Sequence, residues 1–303
     1  MHIDLYIALA GLVVGFTVGL TGMGGGALMT PILVLLFRVQ PLAAVSSDLV
    51  ASFVMKPFGG AVHIRRGTVN WTLVRWLVVG SVPSALLGVG LIRILGHGKH
   101  LQDVVQGAMG AALLLAAATI AVKAVIGLRH RSHEGRSAAS STPITVRPLP
   151  TLAIGAFGGL LVGMTSVGSG SLIIVLLLFL YPSLRASQLV GTDLVQAIPL
   201  VGAAAFGHVL IGDFRLALTL SLLVGSIPGV YLGARISAHS ASRLVRPAIA
   251  FVLLASGLKL IQVGNIELGA ILLGVLVVGP PLWIWLRATD GFPLRPLPQK
   301  VHY

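Results

Sequence analysis

Gly19-Leu20-Thr21-Gly22-Met23-Gly24-Gly25-Gly26-Ala27-Leu28-Met29-Thr30-Pro31 interrupts the first long apolar run of this chain. A degenerate copy, Gly163-Met164-Thr165-Ser166-Val167-Gly168-Ser169-Gly170-Ser171-Leu172, interrupts another run in the second half. A cluster of glycines breaks a helix, whereas glycines at every fourth position, such as Gly11, Gly15 and Gly19, let two helices cross closely. The apolar pieces that follow the breaks, 27–37 and 169–181, are too short to cross a bilayer comfortably. Each therefore reads as the second arm of a broken or re-entrant hairpin.

Around these breaks lie apolar stretches at roughly 4–21, 42–64, 71–95, 103–126, 151–167, 186–210, 214–237, 243–262 and 266–287. Most approach the ~20 residues that a membrane helix requires. Helices are the expected form, because strand-like alternation is absent and lipid admits only helices or closed barrels. The composition agrees: 56% of residues are hydrophobic, 10% are charged, and the mean hydropathy is +0.98. That excludes an ordinary soluble domain, which carries roughly 25% charged residues, and it excludes disorder. The net charge of +13 is spread over short loops rather than gathered into one basic stripe, so it points to membrane orientation and not to nucleic acid. There is no cysteine, which removes disulfides, thiolate catalysis and cysteine metal sites. The start, Met1-His2-Ile3-Asp4, lacks a basic n-region, and the N-terminus is expected to be retained.

The two halves repeat one another. At an offset of 144, Gly11, Gly15 and Gly19 fall on Gly155, Gly159 and Gly163, and Thr21, Gly24, Gly26 and Leu28 fall on Thr165, Gly168, Gly170 and Leu172. One inserted residue shifts the offset to 145. Asp48 then meets Asp193, His63 meets His208, and Gly80-Ser81 with Pro83 meets Gly225-Ser226 with Pro228. An aspartate, a histidine and a proline all in register make duplication the better account than chance. The expected organisation is a first membrane repeat at 1–126, a polar connector at 127–150, a second repeat at 151–262, and an appended helix and tail at 263–303. The connector's arginines, serines and prolines have the composition of a loop. If it is cytoplasmic, the loop after His63 falls on the same side and the loop after His208 on the other, so the halves run in opposite senses. The fold expected is all-α and polytopic: two inverted-topology repeats, each with a Gly-broken or re-entrant hairpin followed by three spanning helices, plus one extra C-terminal helix.

Inverted repeats with interrupted segments at matching places point to a transporter with its site near the midplane. A helix that begins inside the membrane offers unpaired N–H groups, and glycine lets an anion approach them. The candidate substrate-binding residues are Thr21, Gly24, Gly25 and Gly26 in the first hairpin, Thr165, Ser166, Gly168, Ser169, Gly170 and Ser171 in the second, and Lys56. Lys56 lies deep in its helix and has no counterpart, since Val201 aligns with it. It would contact an anion, pair with Asp48 two turns away, or snorkel. Asp48 and Asp193 are the two acids set well inside spans, and an intramembrane carboxylate marks a functional site by default. They are candidates for proton coupling; the plainer alternative is helix capping behind Ser47 and Thr192. His63 and His208, at the far ends of paired helices, are candidate proton-handling groups or interfacial hydrogen-bonding residues. Gln196 is a further polar candidate, and Pro83 and Pro228 are expected to kink their helices. No metal or cofactor is expected. The sequence contains no H-E-x-x-H, G-x-S-x-G or P-loop motif, and the first glycine cluster follows no strand, so it is no dinucleotide fingerprint.

The run from Gly19 to Pro31, its copy from Gly163, the Ser47-Asp48-Leu49 and Thr192-Asp193-Leu194 triplets, and the turns from His63 to Gly67 and from His208 to Gly212 together resemble the TauE/SafE sulfite-exporter family. The likeness runs from about residue 5 to 262. It implies a bacterial inner-membrane carrier of small sulfur-containing anions such as sulfite, thiosulfate or organosulfonates, often outward. The second copy departs from the pattern, with Val175 at the place of Pro31 and Ser166 at that of Gly22. The partners expected are a small anionic substrate and membrane lipid. A passive anion channel lined by the same residues is the alternative, and saturation with counterflow would separate the two. An intramembrane enzyme is disfavoured because no nucleophile with its base and no metal set is present.

Overall fold

The computed structural model describes residues 4–21, 25–95, 98–131, 145–170, 172–184, 186–211, 214–237 and 245–289. Among these, every regular element is helical. In chain order they are α1 (Leu5–Thr21), a 3-10 turn (Gly25–Ala27), α2 (Met29–Leu35), α3 (Pro41–Arg65), α4 (Trp71–Ile94), α5 (Lys99–Arg131), α6 (Pro148–Thr165), α7 (Leu172–Leu180), α8 (Ala186–Ile211), α9 (Leu216–Ser237), α10 (Val245–Leu260) and α11 (Asn265–Thr289). Each apolar stretch has become a helix, and both glycine clusters interrupt one. Helix α5 runs on to Arg131, and Pro148, whose missing N–H is harmless in a first turn, opens α6.

Five helical stretches among the described residues are long and apolar enough to cross a membrane: Trp71–Ile94, Lys99–Val122, Pro148–Thr165, Ser187–Leu210 and Leu216–Ile236. Helix α3 has the length, at 25 residues, but its serines, Asp48 and Lys56 dilute its apolar character. Those side chains are buried, so the polarity of α3 is turned into the protein. Helices α1 and α10 are shorter, at 17 and 16 residues.

The packing pairs equivalent elements across the two halves. Helix α1 lies along α9, and α6, the repeat of α1, lies along α4, the repeat of α9; α3 crosses α8, and α5 packs on α10. Small residues explain how close the first two pairs come. A Cβ built on Gly11 would stand 2.6 Å from the Leu222 carbonyl oxygen and one on Gly15 would stand 2.5 Å from that of Ser226; Gly155 and Gly159 meet Leu77 and Ser81 of α4 in the same way. The evenly spaced glycines are therefore packing residues, as membrane helices use them. Outward faces carry exposed apolar side chains such as Tyr6, Leu87, Phe206 and Leu210. Helix α11 packs lightly against α10 and α5, and Leu273, Val275, Leu276, Val277 and Val278 on it are exposed.

Candidate functional site

At the centre of the bundle, each interrupted hairpin meets its neighbour's polar residues. The 3-10 turn over Gly25 and Gly26 packs directly on the turn that ends α6, so that a Cβ on Gly26 would lie inside the Ser166 carbonyl group. Only glycine allows that approach. Gly25 has Ser52 Oγ and Asp48 Oδ1 at 3.0 and 3.4 Å from the position its Cβ would take. Ser166 is the left-handed cap of α6, at φ +60°, an uncommon conformation for a residue with a Cβ, and it stands where the first copy has glycine. The second break stays open without a proline at Val175: Gly168 and Gly170 take φ of +132° and +88° before α7 begins.

That strained turn aims the Ser166 hydroxyl at a carboxylate. Ser166 Oγ donates to Asp48 Oδ2 at 2.6 Å, Thr30 Oγ1 donates to the same oxygen at 3.2 Å, and Ser52 Oγ reaches Oδ1 at 3.5 Å. Asp48 is 1% exposed and sits eight residues into α3, so it does not cap that helix. Its repeat mate Asp193, also 1% exposed, accepts from Gln196 Nε2 at 3.0 Å and from the backbone N–H of Gly170. Each carboxylate is thus tied to a hairpin break.

Lys56 completes the set. Its ammonium is 1% exposed and donates to Ser169 Oγ at 2.7 Å, joining α3 of the first half to the break of the second. It feels the charges of both Asp48 and Asp193, yet among the described residues no carboxylate lies within ion-pair distance of it. Of the readings open for Lys56, pairing with Asp48 across two turns is not seen, and the ammonium contacts Ser169 instead. The Asp48 oxygens are already taken by three hydroxyls.

The histidines sit at crossings of α3 and α8 with the other half. His208 Nε2 is 2.8 Å from the Gly163 carbonyl, and its Nδ1 is 2.9 Å from Ser46 Oγ. His63 Nδ1 is 3.0 Å from Thr68 Oγ1, beside Gly191, while its Nε2 is buried with no partner. Gly191 is the repeat mate of Ser46, so the two histidines occupy equivalent places. Thr21 and Thr165 bond back to their own helices, at Thr17 and Leu161. Gly24 and Ser171 lie outside the described residues. Thr30, Ser46 and Ser52 were not anticipated; the Ser52 spacing of one turn from Asp48 was the readable signal. Among the described residues no cluster of His, Asp or Glu could hold a metal ion.

Comparison with known proteins bears on this arrangement. A family model described as "Sulfite exporter TauE/SafE" matches residues 7–260. The probable membrane transporter protein YjnA of Bacillus subtilis (strain 168) is 39% identical over 256 residues, covering 84% of this chain and 98% of that protein. YdhB of the same organism, likewise a probable membrane transporter protein, is 26% identical over 264 residues, covering 86% and 100%. No solved structure matches the chain. The broken hairpins, the glycine-packed helix pairs and the interior acids thus belong to a multi-pass membrane protein of a transporter family, and the match over residues 7–260 places the chain in the TauE/SafE sulfite-exporter family.

Proposed function

We propose that the protein exports a small sulfur-containing anion, such as sulfite, thiosulfate or an organosulfonate, by alternating access between two oppositely oriented repeats in a bacterial inner membrane. The observation that carries the reading is the Lys56–Ser169 hydrogen bond at 2.7 Å. It holds a buried ammonium against the helix break that precedes α7, and a half-helix that begins at membrane depth is where an anion is received. Gly24, Gly25, Gly26, Gly168, Ser169, Gly170 and Ser171 are the proposed backbone and hydroxyl donors, with Thr21, Thr165 and Ser166 shaping the two turns. Asp48 and Asp193 are the proposed proton carriers, because each lies on one of the breaks and a carboxylate there repels an anion until it is protonated. His63 and His208, on the same two helices, are the titratable groups through which protons would be handed toward either surface.

The unit boundaries in this reading remain 1–126, 127–150, 151–262 and 263–303, with α11 as an addition outside the repeats. Purified protein in liposomes tests it directly. Saturable flux and counterflow of at least one anion from a panel of sulfite, thiosulfate and sulfonates are expected, and no movement of any of them would defeat the proposal.

A further inference from the structure

We infer that Gln196 couples Asp193 to the cargo: its side-chain amide turns over when Asp193 takes up a proton, and in that orientation it offers an N–H to the anion. This rests on the anion and proton-carrier readings above and gives a role to a residue that neither of them uses. The ground is an orphaned atom. Gln196 is 0% exposed and lies one turn beyond Asp193 on the same face of α8. Its Nε2 donates to Asp193 Oδ1 at 3.0 Å, while its Oε1 is buried and has no hydrogen-bond partner among the described residues. Buried polar groups are hydrogen-bonded as a rule, so this end of the amide awaits a partner that the resting protein does not supply.

The state of the carboxyl decides which way the amide faces. An ionised carboxylate only accepts, so it selects the NH2 end, as in this structure; a protonated carboxyl donates from its O–H, so it selects the carbonyl end. A proton taken from the loading side onto Oδ1 sets an O–H against an N–H, and a half-turn about the Cγ–Cδ bond restores the contact with Oε1 as acceptor. The O–H bond is the one covalent bond that forms, and it breaks when the proton leaves on the far side. The half-turn carries Nε2 to the place now held by the orphaned Oε1. Before it, that end shows an anion a carbonyl oxygen, which repels it; after it, the same end shows an N–H, which binds it. Asp193 also accepts from the backbone N–H of Gly170, and the neighbouring Ser169 accepts from Lys56, so the carboxyl that the amide senses and the buried ammonium meet at one helix break. Of the elements packed on α8, α3 brings Asp48, Lys56, His63 and the exposed Arg65, α4 brings Arg75 and Arg93, both exposed, and α6 and α7 carry no titratable side chain. His208 lies further along α8 itself.

The test is counterflow by the full-length protein in liposomes, with the same pH on both faces, at about pH 5 and about pH 8. The probe is whichever of methanesulfonate, thiosulfate and sulfite moves fastest. Each variant is compared with wild type on the same anion at the same pH, so any titration of the probe cancels, as does that of His63 and His208, which no variant changes. Gln196→Met keeps the length of the side chain and removes both ends of the amide. Relative to wild type its KM should rise about tenfold at the lower pH, the loss of one hydrogen bond to a charged group, and less than ~twofold at the higher, where the amide offers the anion no donor. Gln196→Glu supplies an acceptor and a donor when its own carboxyl is protonated, so it should bring KM at the lower pH back to within about threefold of wild type and lose affinity only at the higher. A merely structural residue would raise KM alike at both pH values. That result for Gln196→Met, or no rise at either pH, would overturn the inference and leave the carrier in place. Should Gln196→Met not fold, Gln196→Glu decides: a defect confined to the higher pH supports the coupling, and an equal defect at both overturns it. Counterflow of none of the three anions by the wild type would overturn the anion reading together with this inference.

Discussion

His208 binds the carbonyl of Gly163 at 2.8 Å, while its repeat mate His63 leaves the same ring nitrogen, Nε2, buried and unpartnered. One histidine therefore clamps α8 onto the end of α6 and onto Ser46 of α3, and the other is held only by the loop after its own helix. His208→Leu strands the Gly163 carbonyl, while Ser46 keeps its bond to the Leu42 carbonyl, and a buried group left without its partner costs about 1–3 kcal/mol. His63→Leu removes the unpartnered Nε2 and one bond to Thr68, whose hydroxyl keeps its own bond to the His63 carbonyl, so its loss is expected to be the smaller, about 1 kcal/mol or less. Thermal unfolding of the purified protein in detergent would check the order. Equal destabilisation of the two variants would contradict it.

Gly26 and Gly90 make opposite predictions for one substitution. At Gly26 an added methyl collides with the Ser166 carbonyl and cannot be accommodated without moving backbone, so Gly26→Ala should separate the two hairpin turns. Loss of most of the flux and destabilisation of more than about 2 kcal/mol are expected, the scale of an overpacked core. At Gly90, in α4, nothing lies within 4 Å of the built Cβ. There Ala should stabilise the helix by about 0.5–1 kcal/mol through its lower conformational entropy when unfolded. Flux and melting temperature measured on both variants settle the pair, and a harmless Gly26→Ala would remove the hairpin contact from the mechanism.

What could be read before folding is what is local. A glycine cluster in an apolar run declares a break, and both breaks lie where expected. A carboxylate among valines and leucines declares itself by its cost, which singled out Asp48 and Asp193. The partners were harder. Ser166 reaches Asp48 across 118 residues and His208 reaches Ser46 across 162, and no spacing rule spans the connector between the halves. Lys56 shows the limit of a local rule. Its spacing on α3 left pairing with Asp48 as one of three open readings, and the three hydroxyls around that carboxylate and the Ser169 hydroxyl on another element decided where the ammonium went. Ser52 was within reach of the one-turn rule and is the partner that such reading should find.

Ser166→Ala isolates the contact that joins the two halves at Asp48. It removes a hydroxyl donor at 2.6 Å from a buried carboxylate while keeping a side chain small enough for the turn at φ +60°. Hydrogen bonds to charged groups contribute about 1.5–3 kcal/mol, so a loss of stability in that range is expected. Ser166→Gly restores the residue of the first copy and relieves the left-handed strain, so it should be less destabilising than Ala by about 1 kcal/mol. Denaturation of the two variants side by side gives the difference, and a more stable alanine variant would show that strain at this turn is unimportant.

Lys56 and Ser169 separate the need for a charge from the need to place it. Lys56→Met keeps the length of the buried side chain and removes the cation, leaving the carboxylates of Asp48 and Asp193 without the one positive charge that both of them feel. With no ammonium to meet it, an anion faces an unpaired buried charge of its own, a penalty of several kcal/mol per ion, and flux should fall by at least ~100-fold. Ser169→Ala keeps the ammonium but removes its acceptor at 2.7 Å. A lost hydrogen bond of about 1 kcal/mol corresponds to roughly fivefold, so its flux should stay within tenfold of wild type. Because the two residues share one contact, the double variant Lys56→Met/Ser169→Ala should be no worse than Lys56→Met alone. Initial rates at matched protein density, with monodispersity on gel filtration as the folding control, measure all three. Wild-type flux in a well-folded Lys56→Met protein would move the anion site away from this lysine altogether.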